Sequence, residues 1–316
     1  APFLLPGRMP MPSFPLVTPP QLEMETAVLR RPYLTGSKSR GQTAAVARAT
    51  RQLIRSTLAL TALLSGLVAC ELKLEAGDVV CPTDASTPPV PARTDPIAVP
   101  WSSGFENQFC DYTQAAGYCY DDAQASFEIV TSPVHSGRYA AAFTVNAADE
   151  AALQARCVRQ GGLPKAASYE AWYFVPASAA ASGNWNLWYF EGGNDEDSQE
   201  PLWNVSLVSG TNGALMLAVY SPLDGGQHYP MKRTVPIPIG SWFRIKFILE
   251  RATDDSGRVS LYQDDVLLFE ETGIVTDGAR PSLYGQWYVG NLAAIRSLMP
   301  SASTIYVDDV SVSAAR

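Results

Sequence analysis

Apolar and polar residues alternate through much of the chain after residue 101, with the two-residue period of a β-strand. In the segment 243–250, four apolar residues at every second position alternate mainly with polar ones. Further strands are predicted at 140–145, 169–175, 185–190, 203–208, 215–220, 259–263, 266–269 and 304–313. Many short strands with little helical periodicity predict an all-β fold, an antiparallel β-sandwich of jelly-roll type.

Turn residues separate these predicted strands. Asp264-Asp265 stands between two apolar runs and predicts a tight hairpin. Clusters rich in Gly, Asn and Asp mark the other turns, at 192–195, 210–213, 224–226 and 255–257. Only two short helices are predicted, at 147–154 and 292–298.

The N-terminal part has the pattern of an export signal. Arg48, Arg51 and Arg55 precede the apolar run 57–66, which is too short to span a bilayer. The run ends in Leu67-Val68-Ala69-Cys70, which resembles a bacterial lipobox. The resemblance implies that Cys70 carries a lipid anchor and becomes the first mature residue. The alternative is an ordinary signal peptide with a chance cysteine.

These patterns divide the chain into four segments. An irregular, Pro-rich stretch (1–45) precedes the signal peptide (46–70), a Pro-rich tether (71–100) follows, and the β-sandwich domain comprises 101–316. We expect an exported lipoprotein at the outer membrane or cell surface, in contact with the membrane through its lipid only.

Composition narrows the possible partners and sites. Residues 71–316 contain 15 basic and 29 acidic residues, a net charge of about −14, which would repel phosphate backbones and excludes nucleic acid as a partner. The four remaining cysteines (Cys81, Cys110, Cys119 and Cys157) fit two disulfides in an exported protein, with three possible pairings. The short loop between Cys110 and Cys119 favours that pair. Serine-hydrolase, zinc-protease, phosphate-loop and dinucleotide motifs do not occur in the sequence.

Three separate segments resemble the frame of jelly-roll carbohydrate-binding modules. They are Gly104-Phe105-Glu106, the run 135–140 and the run 305–310. In those modules a Glu after Gly-Phe, an Asp on the last strand and a nearby carbonyl bind a structural calcium ion. The resemblance implies a Ca²⁺ site formed by Glu106, Asp308 and the carbonyl of Arg138. The alternative is that these carboxylates are simply solvated.

An aromatic cluster indicates sugar binding, because indole and phenol rings stack on the apolar faces of sugars. The candidate contacts are Trp185, Trp188, Tyr189, Asn194, Trp203 and Trp287. Alternation along a strand allows at most half of the 185–190 cluster to line a groove. The alternative is that these aromatic residues belong to the core.

The segment 169–288 is similar to the concanavalin A-like sandwich of polysaccharide lyases acting on uronate polymers, such as alginate, glucuronan and heparin lyases. The resemblance rests on Tyr-x-x-Trp-Tyr-Phe-x-Pro at 169–176, Gly-Ser-Trp-Phe at 240–243 and Tyr-Gly-Gln-Trp-Tyr at 284–288. It implies that Tyr288 acts as base and acid in a β-elimination. Arg156 or Gln286 would bind the substrate carboxylate.

The chain departs from the alginate-lyase motifs at three places. Arg156-Cys157-Val158 replaces Arg-(Ser/Thr)-Glu-Leu and so lacks the glutamate. Leu187-Trp188-Tyr189 falls near the Gln-Ile-His motif but has no histidine, and Tyr284 replaces a lysine. A glycoside hydrolase would need two carboxylates, for which Glu191 with Asp195 or Glu196 is the candidate, and Gly192-Gly193 predicts a loop there instead of a strand.

The first hypothesis is therefore a surface-anchored lipoprotein that binds an extracellular polysaccharide through an aromatic groove. One alternative is a polysaccharide lyase that cleaves a uronate polymer. A second alternative is a structural or adhesive sandwich that contacts protein. The fold hosts binding and catalytic proteins alike, so the site must decide between them.

Overall fold

The computed structural model describes residue 81 and residues 95–146, 152–179, 185–193, 200–210, 212–223, 226–278, 284–294 and 302–315. All of them belong to the unit Val68–Arg316. The predicted signal peptide, the lipid anchor at Cys70 and the candidate sugar contact Asn194 lie outside the described residues.

The described part of the chain is almost entirely β-structure. Its strands are β1 (Trp101–Ser103), β2 (Tyr118–Asp121), β3 (Ala125–Val130), β4 (Ala140–Asn146), β5 (Ala152–Gly161), β6 (Ala166–Phe174), β7 (Trp185–Gly193), β8 (Glu200–Ser209), β9 (Leu215–Ser221), β10 (Gln227–Tyr229), β11 (Trp242–Glu250), β12 (Gly257–Gln263), β13 (Val266–Ile274), β14 (Tyr284–Ala294) and β15 (Ala302–Ala314). A short helix α1 (Cys110–Thr113) and a 3₁₀ turn (Ala177–Ala179) complete the described elements.

The strands form two antiparallel sheets. The eight-stranded sheet has the order β13-β12-β11-β6-β15-β4-β3, and β1 pairs with the C-terminal half of β15. The seven-stranded sheet has the order β10-β9-β8-β7-β14-β5-β2. Each sheet joins strands that are distant in sequence, such as β6 with β15 and β7 with β14, as expected for a jelly roll, so the predicted all-β sandwich is confirmed.

The core lies between the two sheets, where alternate residues of the central strands meet. Phe190 of β7 stacks on Phe247 of β11 with ring centroids 5.1 Å apart. Trp287 of β14 packs edge-on against Tyr169 of β6 at 4.8 Å. Each fully buried large apolar side chain contributes about 1.5–3 kcal/mol to folding. Side chains alternate between the two faces of a strand. Those of β5, β7 and β14 that do not enter the core therefore point to the outer face of the seven-stranded sheet.

The hairpin between β12 and β13 forms as predicted. Asp264 and Asp265 have φ angles of 49° and 68°, which is the left-handed pair of a type I′ turn. All the other predicted strands also form, with bounds shifted by a few residues.

Both predicted helices are wrong in their described parts. Residues 152–154 of the first belong to strand β5, and residues 292–294 of the second belong to strand β14. Pairing with strands on both sides outweighs local helix propensity, because β5 lies between β2 and β14 and β14 lies between β5 and β7.

The disulfides join Cys81 to Cys110 and Cys119 to Cys157, so the prediction that Cys110 pairs with Cys119 is wrong. Cys119 of β2 stands directly opposite Cys157 of β5 in the antiparallel ladder, which brings their side chains together. The disulfide pairing therefore follows strand register and not the distance between cysteines along the chain.

Packing begins before Trp101. Pro96 forms a β-bridge with Gly162, and Ile97 is buried in the core. Cys81 is bonded to helix α1. The folded part therefore includes the end of the segment expected to be a tether. No helix among the described residues is long and apolar enough to cross a membrane.

Candidate functional site

The candidate site lies on the outer face of the seven-stranded sheet, where β2, β5, β14, β7 and β8 are neighbours. Polar and aromatic side chains from these strands meet around one tyrosine. We call this set the polar face; it comprises Tyr120, Arg156, Asn186, Tyr189, Glu191, Asn204, Gln286 and Tyr288. Strand register explains the grouping, because Tyr288 stands opposite Tyr189, Tyr189 opposite Asn204, and Arg156 opposite Tyr120.

Tyr288 is at the centre of the polar face. Its hydroxyl donates a hydrogen bond to Glu191 Oε2 at 2.7 Å and also contacts Gln286 Oε1. Burial, and next the negative charge of Glu191, raise the pKa of Tyr288 far above the usual value of a tyrosine. The phenol therefore stays protonated at neutral pH and is suited to donate a proton.

Arg156 supplies the positive charge of this cluster. Its guanidinium carbon lies 5.5 Å from the ring centroid of Tyr288 and 5.7 Å from that of Tyr189, within cation–π range. The guanidinium also donates a hydrogen bond to Asn186 Oδ1. Its Nε atom is buried and has no hydrogen-bond partner among the described residues.

The absence of a side chain at Gly290 leaves room for Arg156 beside strand β14. Gly290 stands opposite Arg156 with a φ angle of +137°, which favours glycine. A Cβ at position 290 would lie 2.5 Å from the carbonyl oxygen of Ala155 and 3.3 Å from Arg156 Cγ. A larger residue would therefore displace the arginine or its strand.

Glu191 is the carboxylate of the polar face. Burial raises the pKa of Glu191 above its usual range, although the hydrogen bond from Tyr288 and the charge of Arg156 both act in the opposite direction. Tyr120, on the far side of Arg156, has its pKa raised to about 12, chiefly by burial. The cluster thus combines one carboxylate, one guanidinium and several protonated phenols.

Hydrogen bonds between neighbouring strands fix this arrangement. Gln286 Nε2 and Gln160 Nε2 both donate to the hydroxyl of Tyr284, at 2.9 and 3.0 Å. Asn186 Nδ2 donates to Asn204 Oδ1 at 2.8 Å. Side chains held from two sides lose little freedom when a ligand binds, which favours precise positioning.

The predicted aromatic groove requires a correction. Trp185, Trp188, Trp203 and Trp287 are 0–1% exposed and belong to the core between the sheets. Trp203 and Trp287 pack against Phe247 and Tyr169 of the opposite sheet. Indoles buried in this way cannot stack on a sugar in this fold. Among the described candidates for sugar contact, only Tyr189 lies on the polar face, where it is half-buried.

The candidate lyase residues, in contrast, come together. Tyr288, Arg156 and Gln286 were expected from sequence, and all three lie on the polar face. Asn186, Glu191, Tyr120 and Asn204 complete the cluster, and the sequence does not assign them to it. The irregular pairing of β7 between Asn186 and Trp188 obscured Asn186, because it places residues that are three positions apart, Asn186 and Tyr189, on the same face.

Glu191 was expected in a loop, as half of a hydrolase carboxylate pair. Strand β7 continues through Gly193, so Glu191 lies on a strand with its side chain against Tyr288. Asp195 and Glu196, the other half of the predicted pair, lie outside the described residues.

The candidate calcium residues lie on the other sheet and in its loops. Glu106 Oε1 accepts hydrogen bonds from the backbone N–H groups of Arg138 and Tyr139, at 2.7 and 3.0 Å. Asp308 Oδ2 accepts from those of His135 and Ser136, at 2.9 and 3.2 Å. Both carboxylates therefore anchor the loop before β4.

This carboxylate anchoring does not itself require a metal. Among the described residues, no group of three His, Cys, Asp or Glu side chains converges as a metal site. Burial raises the pKa of Asp308 to about 6. The calcium site stays a prediction.

Solved structures with a similar fold include two lyases. An endo-β-1,4-glucuronan lyase from the fungus Trichoderma reesei has 17% sequence identity and a TM-score of 0.52, over 63% of this chain and 90% of that one. A variant of alginate lyase Aly36B in complex with an alginate trisaccharide has 10% identity and a TM-score of 0.52, over 70% of this chain and 100% of that one. At these identities the likeness establishes the fold class, a jelly-roll β-sandwich.

The family follows from the sequence itself. The family described as Polysaccharide lyase matches residues 101–311, which is most of the described domain. The chain belongs to this polysaccharide lyase family. A search of curated proteins found no match.

Proposed function

We propose that this protein is a polysaccharide lyase that cleaves a uronate-containing polymer by β-elimination at the polar face. The observation that carries the proposal is that a protonated tyrosine, Tyr288, and an arginine, Arg156, lie side by side on the polar face at cation–π distance. Family membership and the lyase folds of similar structures support it.

The reaction defines what the site must supply. The proton on C5 of a uronate is acidic because the adjacent carboxyl group takes up the charge when that proton leaves. The C4–O4 bond then breaks and a C4=C5 double bond forms. The site must stabilise the negative carboxylate, accept the C5 proton and protonate the leaving O4 oxygen.

Arg156 is suited to the first of these tasks. A guanidinium can donate two parallel hydrogen bonds to a carboxylate, and a partly desolvated pair is stronger than one in water. The two tyrosine rings beside Arg156 hold its charge at the polar face without neutralising it. The uronate carboxylate would bind here, with Gln286 and Asn186 as neighbouring amide donors.

Tyr288 is suited to protonate the leaving oxygen. Its raised pKa keeps the phenol protonated, and its neighbours Glu191 and Gln286 fix the direction of the hydroxyl. The phenol is a poor base on its own for the same reason, because burial and a nearby carboxylate both disfavour the phenolate.

An ultraviolet assay tests the proposal. Purified protein is mixed with a panel of uronate polymers, and the absorbance of the new C=C bond is followed. We expect a rise on at least one polymer, and we expect Tyr288→Phe to lower the rate by at least about 100-fold. Tyr262→Phe, on the outer face of the other sheet, is the matched control and should retain the wild-type rate.

The outcomes separate the candidate functions. Absence of unsaturated product on every polymer, from protein shown to be folded, would refute the lyase proposal. If that protein still binds a polysaccharide and Arg156→Ala abolishes binding, the polar face is a binding site without catalysis.

We also propose one structural calcium ion at Glu106, Asp308 and the Arg138 carbonyl. The support is that both carboxylates lie near Gly104 and tie the same loop to the end strands. Calcium in excess over its Kd by 100-fold would stabilise the fold by about 2.7 kcal/mol. Thermal unfolding in Ca²⁺, in Mg²⁺ and in chelator tests this, with Glu106→Gln as the variant that should lose the Ca²⁺ response. Equal midpoints in all three would refute the site.

The lipid anchor at Cys70 is a further part of the proposed function. Its support is the lipobox-like sequence 67–70 after an apolar run. Expression of the full chain in a bacterium with labelled fatty acid should label the protein, and Cys70→Ser should abolish the label. Labelling of the Cys70→Ser variant would contradict this assignment.

A further inference from the structure

Glu191 is a half-buried carboxylate whose capacity to accept a proton the proposed mechanism does not yet use. Its Oε2 atom lies 2.7 Å from the Tyr288 hydroxyl, which is a good hydrogen-bond distance. The two residues are on neighbouring strands, with Glu191 opposite Gln286 in the ladder between β7 and β14. The contact is therefore fixed by the sheet and does not depend on a mobile loop.

Tyr288 needs such a partner. A phenol with a strongly raised pKa can remove a C5 proton only if its own proton leaves at the same time. Two acceptors contact its hydroxyl, Glu191 Oε2 and Gln286 Oε1. An amide oxygen holds a proton far less well than a carboxylate, so Glu191 is the group able to take it.

We propose that Glu191 accepts the proton of Tyr288 during the elimination and returns it afterwards. The inference rests on the proposed function and assigns the base of that reaction to a coupled pair. Glu191 acts through Tyr288 and has no contact with the substrate in this scheme.

The proton balance closes without any further reactant. In the first step the C5–H bond breaks, its proton goes to the Tyr288 oxygen, and the phenolic proton passes to the Glu191 carboxylate. The electron pair of the C5–H bond forms the C4=C5 bond as the C4–O4 bond breaks. Tyr288 then gives a proton to O4 and takes one back from Glu191. Both residues end in their starting protonation states.

The charged and titratable groups around Glu191 come from β7, on which it lies, and from four other strands. Tyr288 of β14 donates to it, and Arg156 of β5 faces it. Tyr118 and Tyr120 of β2 and Tyr189 of β7 lie in the same cluster. Glu200 of β8 stands opposite Gly192 and is exposed.

The scheme requires Glu191 to be ionised at the start of the reaction. The rate should therefore rise with pH as Glu191 loses its proton. Since burial raises the pKa of Glu191, the midpoint of this rise should lie above the ordinary range of a glutamate. Tyr288 stays protonated throughout this range, so it adds no fall in rate on the alkaline side.

The test compares three variants in the unsaturated-product assay. Glu191→Gln keeps the size and an acceptor oxygen but cannot hold the proton. We expect kcat to fall at least about 100-fold with KM within about twofold, and the acidic limb of the pH profile to vanish. Glu191→Asp should restore part of kcat and the acidic limb. Glu200→Gln, one strand away, should behave as wild type.

Two results would overturn the inference: a kcat of Glu191→Gln near that of wild type, or an unchanged acidic limb in that variant. A measurement without substrate distinguishes failure of this inference from failure of the proposed lyase function. The ¹³C resonance of the Glu191 carboxyl is titrated in wild type and in Tyr288→Phe. Loss of the phenolic donor should raise the pKa of Glu191, and an identical titration in both proteins would show that the pair is not coupled.

Discussion

At the scale of single residues, burial gives Tyr288 its chemical character. The same phenol in water would titrate near 10 and would donate or accept according to pH. On the polar face, burial and Glu191 disfavour its ionised form, while Arg156 lies over its ring. The residue is thus a proton donor whose ability to accept a proton depends on its neighbour.

Arg156→Lys tests the role of the guanidinium. A lysine keeps the charge but cannot form two parallel hydrogen bonds with a carboxylate, and it stacks less well between tyrosines. Loss of one such bond to a charged group is worth about 1.5–3 kcal/mol, so we expect kcat/KM on a uronate polymer to fall by about 10- to 100-fold. Steady-state kinetics with Arg258→Lys as control measure this. Equal losses in both variants would contradict a specific role for Arg156.

Trp188→Phe tests the correction of the aromatic groove. The indole of Trp188 packs against Trp287 in the core, with ring centroids 5.4 Å apart. We expect the free energy of unfolding to fall by about 1–3 kcal/mol, as for other large-to-small core changes. Denaturant unfolding measures it. Polysaccharide affinity per folded molecule should not change. A variant with lower affinity and unchanged stability would support the hypothesis that Trp188 contacts the sugar in an aromatic groove.

Some of these residues could be predicted from the sequence and others could not. Tyr288, Arg156 and Gln286 could be found, because the resemblance to lyase motifs depends on local residue order. Asn186 could not be placed, because the irregular pairing after it shifts the alternation that assigns faces. Glu191 could not be placed because the two glycines after it predict a loop, whereas strand β7 continues through Gly193. Four candidate tryptophans were misplaced for another reason: aromatic strand residues occur both in cores and in sugar sites, and only tertiary packing distinguishes them.

At the scale of elements, the polar face depends on strands that have little strand signal of their own. β5 contains Arg156-Cys157-Val158-Arg159-Gln160, a mixed run that predicts neither strand nor helix strongly. It forms because β2 and β14 pair with it on both sides. Strands with clear alternation, such as β11, were predictable, whereas strands stabilised by their neighbours were not.

The disulfide between Cys119 and Cys157 secures the edge of the polar face. It joins the short edge strand β2, which carries Tyr120, to β5, which carries Arg156. Closing a loop of 38 residues is expected to stabilise the fold by about 4 kcal/mol in the chain-entropy account. The double variant Cys119→Ser, Cys157→Ser should lose about this much in denaturant unfolding. A change below about 1 kcal/mol would show that the edge does not need the bond.

At the scale of the whole molecule, charge opposes binding of an anionic polymer. Residues 71–316 carry a net charge of about −14, and the proposed substrate, a uronate polymer, is also negative. Arg156 attracts a uronate locally, but the remaining surface repels the chain at long range. Screening by salt weakens the long-range repulsion more than a short, buried contact.

Ionic strength should therefore affect this protein in an unusual direction. We expect kcat/KM on a uronate polymer to rise as NaCl increases from about 0.01 to 0.15 M, where the Debye length falls from about 30 to 8 Å. Circular dichroism at each salt concentration controls for folding. A steady fall over this range would indicate a cationic groove that dominates the overall charge.

The most direct measurement of the central claim is the ratio of unsaturated ends to new reducing ends in the product. β-Elimination forms one C4=C5 bond for each chain break, so the account predicts a ratio of 1, measured by ultraviolet absorbance and a reducing-end assay on the same sample. New reducing ends without unsaturation would mean hydrolysis, and would contradict the assignment of Tyr288 and Glu191 to an elimination.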